Sequence, residues 1–287
     1  MAYVTKEELV EVFRDTEDFY KRDENLKRGI EEAIKGTEFY GANDYPPLPK
    51  PRFKKTTISI VKKRTLETAV SLQRRHLELK ITVHNFASAT NPGGGVKHGS
   101  RAQEEAICRC STLYPVLNTD DNWKRFYNVN RAQANPLHDD ACIYTPEIVV
   151  CKTDAERPVR LPRDRWDLVD VVTIAAPNLK EKNDSIYSSG EGDHVQITDE
   201  KLFALHETRL RHMFTVVAHH GADIFVTGAF GCGAFRNNPE VVAQAYKKIL
   251  PEFDGFFKEV VFAIYCRPGE MVNYDTFRKV FGKTRIS

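Results

Sequence analysis

What most restricts the fold of this chain is a rhythm. Short runs rich in Val, Ile, Phe and Thr alternate with longer segments whose apolar residues recur every three or four positions. TTISIVKK reads as a strand, Thr65 to Gln73 as a short helix, and LELKITVHNFA as a strand with Leu77, Leu79, Ile81 and Val83 on one face. IYTPEIVVCK and LVDVVTIAAP follow as strands, Asp199 to His220 as a long helix, and ADIFVTGAF as another strand. Pro239 to Leu250 is helical, VVFAIYC a strand, and Tyr274 to Phe281 a last helix. Strands that alternate with helices predict a three-layer α/β/α sandwich around a mixed, largely parallel sheet. In such sheets the ligand crevice lies beyond the carboxyl ends of the strands.

Ahead of this rhythm, Leu9, Val10 and Phe13, then Leu26, Ile30 and Ala33, recur at helical spacing, and Tyr45-Pro46-Pro47-Leu48-Pro49 breaks the pattern. Residues 1–50 are therefore expected as an N-terminal helical extension and 51–287 as the main α/β domain. Composition narrows the function classes. With 42 basic against 40 acidic residues, the net charge of +2 gives no global field for gripping long nucleic acid, and no sequence-specific nucleic-acid binding is expected. There is no run of about 18 apolar residues, and MAYVTKEELVEVF lacks the apolar segment of a signal peptide, so a soluble, intracellular protein with no membrane partner is expected.

The six cysteines form no CxxC pair and no Cys/His spacing typical of zinc, and no metal or other cofactor is expected. Cys108 and Cys110 lie two apart on a predicted helix, turned about 200° from one another, and read as packing residues. His219-His220 reads as a helix C-terminal feature that complements the dipole. Ala175-Ala176-Pro177-Asn178 ends a strand on the side where the crevice is expected.

Two loops begin where an apolar strand stops and end where a helix starts: NPGGGVKHGSRAQEE and GCGAFRNNPE. In the first, Gly93, Gly94 and Gly95 can adopt backbone angles closed to other residues and let a ligand approach the main chain. Ser100-Arg101-Ala102-Gln103 fits a capping box, and Ala106, Ile107, Cys110, Leu113, Tyr114 and Leu117 make an apolar helical stripe behind it. Glu104 and Glu105 thus fall in the first helical turn. Acidic residues there favour the helix dipole by about 0.3–1 kcal/mol each, so on pattern alone the pair fits a structural role as well as a chemical one. Consecutive helical residues project about 100° apart, so the two cannot flank one glycosidic bond as paired glycosidase carboxylates do. In a chemical role one would face the bond and the other would have a different task, and a buried carboxyl beside another has the raised pKa of a general acid.

In the second loop Gly228, Gly231 and Gly233 stand between a strand and a helix that Asn238 caps and Pro239 opens, an arrangement that binds anions through backbone N–H groups. The Gly-x-x-Gly-x-Gly order is not the dinucleotide fingerprint, and no phosphate-loop Gly-Lys-Ser/Thr run is present. Cys232 reads as a small packed residue between two glycines.

The run NFASATNPGGGVKHGSRAQEEAICRCSTLYP resembles the signature of bacterial-type poly(ADP-ribose) glycohydrolases: a glycine triplet preceded by Asn-Pro and followed after seven residues by Gln-Glu-Glu. The likeness runs over roughly residues 50 to 280. It implies a macrodomain-like fold, hydrolysis of ribose–ribose bonds without metal by exo-type cleavage from the chain end, and poly(ADP-ribose) or ADP-ribosylated macromolecules as partners with ADP-ribose as product. It further implies Glu105 as the general acid and Glu104 as the group holding the ribose hydroxyls. Gly93, Gly94, Gly95 and Val96 would line the terminal ribose and diphosphate, Gln103 would orient the glutamates, and Asn91 would touch ribose. Gly228, Ala229, Gly231, Cys232, Gly233 and Ala234 would cover the diphosphate, with Phe235 packed on it and on the adjoining ribose. Arg236 departs from the pattern, which favours a small residue there. Lys97, His98 and Arg101 are candidates for meeting the polymer's further phosphates. Rival readings are an ADP-ribose-binding module and a hydrolase that removes single ADP-ribose units from protein or nucleic acid. The adjacent glutamates argue for an enzyme.

Overall fold

The computed structural model describes residues 4–181, 193–267 and 269–282. Two helices come first, α1 (Lys6–Arg22) and α2 (Glu24–Lys35), then a short strand β1 (Glu38–Tyr40). The alternation follows as β2 (Thr57–Val61), α3 (Thr65–Gln73), β3 (Ile81–Phe86), α4 (Gln103–Cys110), α5 (Leu113–Leu117), α6 (Asp120–Asn122) and α7 (Asn128–Gln133). The chain continues through β4 (Cys142–Val150), β5 (Asp167–Ile174), α8 (Asp199–His219), β6 (Ile224–Thr227), α9 (Pro239–Ile249), β7 (Glu259–Ala263) and α10 (Val272–Phe281).

The seven strands form one sheet in the order β1-β4-β5-β3-β6-β7-β2. Pairing is antiparallel at β1/β4 and β4/β5 and parallel across the other four pairs. Side chains alternate between the faces, as the period of two in a strand requires. Val169, Val171, Ile224, Val226 and Val261 join α3, α4 and α5 in one core. Val172, Ile174, Phe225, Val260 and Phe262 meet α8, α9 and α10 in the other. The expected three-layer sandwich with a mixed, largely parallel sheet is what the chain builds. No described helix is long and apolar enough to cross a membrane.

Several local expectations change. Residues 1–50 are helical to Lys35, but β1 then pairs with β4 at the sheet edge, so this segment also completes the sheet. Leu77 and Leu79 precede the strand: Leu79 N–H turns back to the carbonyl of His76, and Leu77 is 79% exposed. The stripe from Ala106 to Leu117 is two helices, because Ser111 is extended (φ −146°) and bridges Val150. β4 carries an irregularity between Thr145 and Ile148, where Pro146 offers no N–H and Glu147 sits at φ 53° with its N–H on Asp170 Oδ1. His220 does not act as a dipole-complementing cation. Its ring stacks on Tyr144 with centroids 3.6 Å apart, and burial lowers its pKa to about 4.

Candidate active site

β3 sets the site. Ile81, Val83 and Asn85 share the face toward α4, and the first two are core. The third is polar, fully buried, and donates from Nδ2 to Glu104 Oε1 (3.1 Å). After β3 the backbone N–H of Ser88 donates to Glu104 Oε2 (2.7 Å), so both oxygens of this carboxyl accept hydrogen bonds. Glu104 is 2% exposed, and burial, followed by the neighbouring Glu105 charge, raises its pKa to about 8. Glu105 is 7% exposed and its pKa is also raised by burial. Its Oε1 accepts from Gly95 N–H (2.9 Å), whereas Oε2, buried in the wall of a cleft, makes no hydrogen bond among the described residues.

The glycine triplet lies behind these carboxyls. Gly93 and Gly94 have φ of 68° and 54°, angles that favour glycine. A Cβ on Gly94 would come within 2.6 Å of Glu105 Oε1, so here glycine also makes room for the carboxylate. The expected capping box at Ser100 does not form. Ala102 occupies the cap position without a side-chain hydrogen bond, and Gln103 begins the helix. Gln103 instead joins three elements: Oε1 accepts from Phe86 N–H (2.9 Å), while Nε2 donates to His84 O (2.6 Å) and Thr65 Oγ1 (3.1 Å).

The second loop closes the opposite wall. Asn238 accepts from Glu240 N–H, and Pro239 opens α9, as expected. Asn237 is buried and donates to Pro177 O (2.7 Å) and Phe235 O (3.1 Å), which locks the loop against the end of β5. A Cβ on Gly231 (φ 76°) would lie 2.7 Å from Ala176 Cβ, whereas Gly233 faces open space. Arg236 takes φ 59°, so the position where a small residue was expected does have glycine-like backbone.

Between the walls lies a cleft of about 300 Å³. Of the expected site residues, Gln103, Glu104, Glu105, Ala229, Gly231, Gly233, Ala234 and Phe235 line it, with Ala176. Gly93, Gly94, Gly95, Val96, Asn91, Gly228 and Cys232 are not in its lining. Val96 is fully buried in the core beneath α4. Asn91 bonds Thr90 and Arg131. Gly228 is pressed on Ala263 O, where a Cβ would approach to 2.6 Å. Burial pushes the Cys232 thiol pKa well up, which fits a packed residue and not a nucleophile. Among the loop cations, Arg101 lines the cleft and Lys97 lies over the Tyr114 ring. Among the described residues no group of three or more His, Cys, Asp or Glu side chains is placed to hold a metal ion.

Sequence reasoning missed several participants. Asn85 had a signal, a polar residue in the inward register of an apolar strand. Arg109, buried four residues after Glu105, had one in its helical spacing. Arg64, Asp154 and Tyr265 had none, because α3, the segment after β4 and the segment after β7 meet only in space. There the Arg64 guanidinium covers the Tyr265 ring at 4.0 Å, and both bond Glu156.

Comparison with known proteins agrees with this geometry. The chain is similar over 95% of its length to 99% of a poly(ADP-ribose) glycohydrolase crystal structure from Thermomonospora curvata, at 27% identity and a TM-score of 0.82. The same enzyme bound to the inhibitor ADP-HPD matches at 27% identity and 0.78, covering 94% of this chain and 98% of that one. The Deinococcus radiodurans enzyme in complex with ADP-ribose matches at 29% identity and 0.73, covering 88% and 97%. No curated protein matches by sequence. The family model described as microbial-type PARG, catalytic domain, matches residues 8–153. With half of its length matched and the fold and paired glutamates in place, the chain belongs to the microbial-type poly(ADP-ribose) glycohydrolase family.

Proposed function

We propose that this chain hydrolyses the ribose–ribose O-glycosidic bond of poly(ADP-ribose) at the polymer end and releases ADP-ribose, with Glu105 as general acid and then general base. The observation that carries the reading is Glu105 itself: one oxygen is fixed by Gly95 N–H, and the other is buried at the cleft wall without a partner. The two carboxyls titrate as a pair, and burial keeps a proton on it at neutral pH. Glu104 already accepts one N–H on each oxygen, so the proton shared by the pair reaches the substrate from Glu105 Oε2, the oxygen without a partner.

Donation to the departing ribose 2′-oxygen breaks the glycosidic bond through an oxocarbenium-like transition state. The resulting carboxylate takes a proton from the attacking water. Glu104, held in place by Asn85 and Ser88, orients the ribose hydroxyls. The ADP-ribose unit lies along the cleft, its diphosphate against the backbone of Gly231, Gly233 and Ala234, with Phe235 packed beside it. The solved relatives crystallised with ADP-ribose and with ADP-HPD support such a pose.

Glu105→Gln keeps the shape of the side chain and the Gly95 contact but removes the proton. Release of ADP-ribose from labelled polymer should fall by about 10²–10⁴-fold, while calorimetric binding of ADP-ribose stays within a few fold. Turnover at the wild-type rate in this variant would refute the assigned role.

A further inference from the structure

The hydrogen bonding behind Glu105 continues to a residue that lies outside the lining of the substrate cleft. Arg109 sits one helical turn after Glu105 and is 4% exposed. Its NH1 donates to Ser100 O (2.6 Å), Ser100 N–H donates to Gly95 O (3.2 Å), and Gly95 N–H donates to Glu105 Oε1 (2.9 Å). Helix α4 closes this path into a ring, because Arg109 follows Glu105 by one turn of the same helix. α1 fixes the ring from outside: Thr16 Oγ1 donates to Arg109 O (2.7 Å).

We propose that Arg109 is a positioning residue for hydrolysis, acting through Ser100 and Gly95 to fix Glu105 Oε1 and so leave Oε2 directed at the substrate. The inference rests on the role proposed for Glu105. A buried guanidinium has an evident reason to be here. Loop residues 95–100 must be held at a set distance from the first turn of α4, and Arg109 supplies a rigid planar donor that spans from helix to loop. Its charge has a second effect, since it favours the ionised form of Glu105 and so moderates the rise that burial imposes. The other charged and titratable groups around this pair are Glu104, Cys108 and Cys110 on α4, Arg101 before it, Arg64 at the start of α3, Asp154 and Glu156 after β4, and Tyr265 and Arg267 after β7. Of the cations, Arg109 acts most strongly on Glu105.

The test compares Arg109→Met and Arg109→Lys in the full chain, with ADP-ribose release from poly(ADP-ribose) followed across pH. A misplaced catalytic group costs on the order of a hundredfold, so kcat should fall by about that in the Met variant, with KM within about twofold. The Lys variant, which keeps a charge and one donor toward Ser100, should fall between it and wild type. Removing the cation raises the Glu105 pKa, so the alkaline limb of the kcat profile should move to higher pH in Met and stay in place in Lys. If the Met variant does not fold, the Lys variant decides alone: lowered kcat at unchanged KM and unchanged limb supports the proposal. Wild-type kcat in either folded variant, or a loss confined to KM, overturns it. Glu105→Gln run alongside separates the two readings. If that variant is inactive while Arg109→Met is normal, only the positioning role fails; if it is active, the assignment of Glu105 fails.

Discussion

Arg236 takes φ 59° on an exposed part of the second loop, a conformation that costs a side-chain-bearing residue about 1 kcal/mol. The loop accepts it because Asn237, buried beside it, bonds two carbonyls and fixes the backbone whatever its neighbour prefers. Arg236→Gly should therefore raise stability by about 0.5–1 kcal/mol in chemical denaturation, less the entropy glycine adds to the unfolded chain. Unchanged or lowered stability would mean that the arginine makes compensating contacts. The same reasoning from single residues explains Gly94, where positive φ and the space taken by Glu105 Oε1 each call for glycine. It also explains why Glu104 and Glu105 differ although adjacent in sequence. One is surrounded by N–H donors from β3 and the segment after it, and the other keeps an oxygen without a partner.

At the level of elements, α4 is a short helix whose first turn must be docked accurately on the end of β3. Ordinary capping does not do this, since Ala102 has no polar side-chain atom to offer. Docking falls to Gln103, which bonds β3 through His84 O and Phe86 N–H and α3 through Thr65. Gln103→Ala leaves two buried backbone groups of β3 without these partners. It should destabilise the protein by about 1–3 kcal/mol and lower kcat more than it weakens ADP-ribose binding, as measured by denaturation and by steady-state assay. An effect on stability with kcat intact would show that the junction holds the fold without tuning the site. α1 braces the helical layer and β1 the sheet. α1 bonds Arg109 through Thr16 and receives Lys152 Nζ on Val12 O (2.8 Å), and β1 covers the edge of β4.

Across the whole molecule, buried histidines and buried glutamates set opposing pH dependences. Burial lowers His138 to about 4 and His206 to about 3, both packed near the second loop, and lowers His220 to about 4. A base whose folded pKa lies below its unfolded 6.5 contributes nothing unfavourable above that pH, and its stability is lost as pH falls toward the folded value, by about 3 kcal/mol or more for a fully buried ring. The buried Glu104–Glu105 pair runs the other way: burial holds its proton to higher pH, to about 8 at Glu104, and removes stability as pH climbs from 4.5 toward 8. The two trends partly offset each other between 4.5 and 6.5, so denaturation curves should show their steepest acid loss below about 4.5. His206→Gln, whose amide can still donate to Asn237 Oδ1, should flatten that arm; an unchanged arm would place the acid sensitivity elsewhere. The alternation of strands and helices, the two glycine loops and the Gln-Glu-Glu run were legible in the sequence, because periodicity and local backbone demands are written in neighbouring residues. That the two glutamates project in different directions was legible too, from helical geometry, while the roles proposed for them came from the family resemblance. The split of the stripe at Ser111 and the placing of Leu77 outside β3 were not, since a bridge to Val150 and a turn at His76 override local propensity. Nor was it visible that Val96 belongs to the core while Arg64 and Tyr265 border the cleft. The chain alone determined which residues could do the chemistry, whereas tertiary packing decided which oxygen is left without a partner, because burial and hydrogen-bond partners come from segments far apart in sequence.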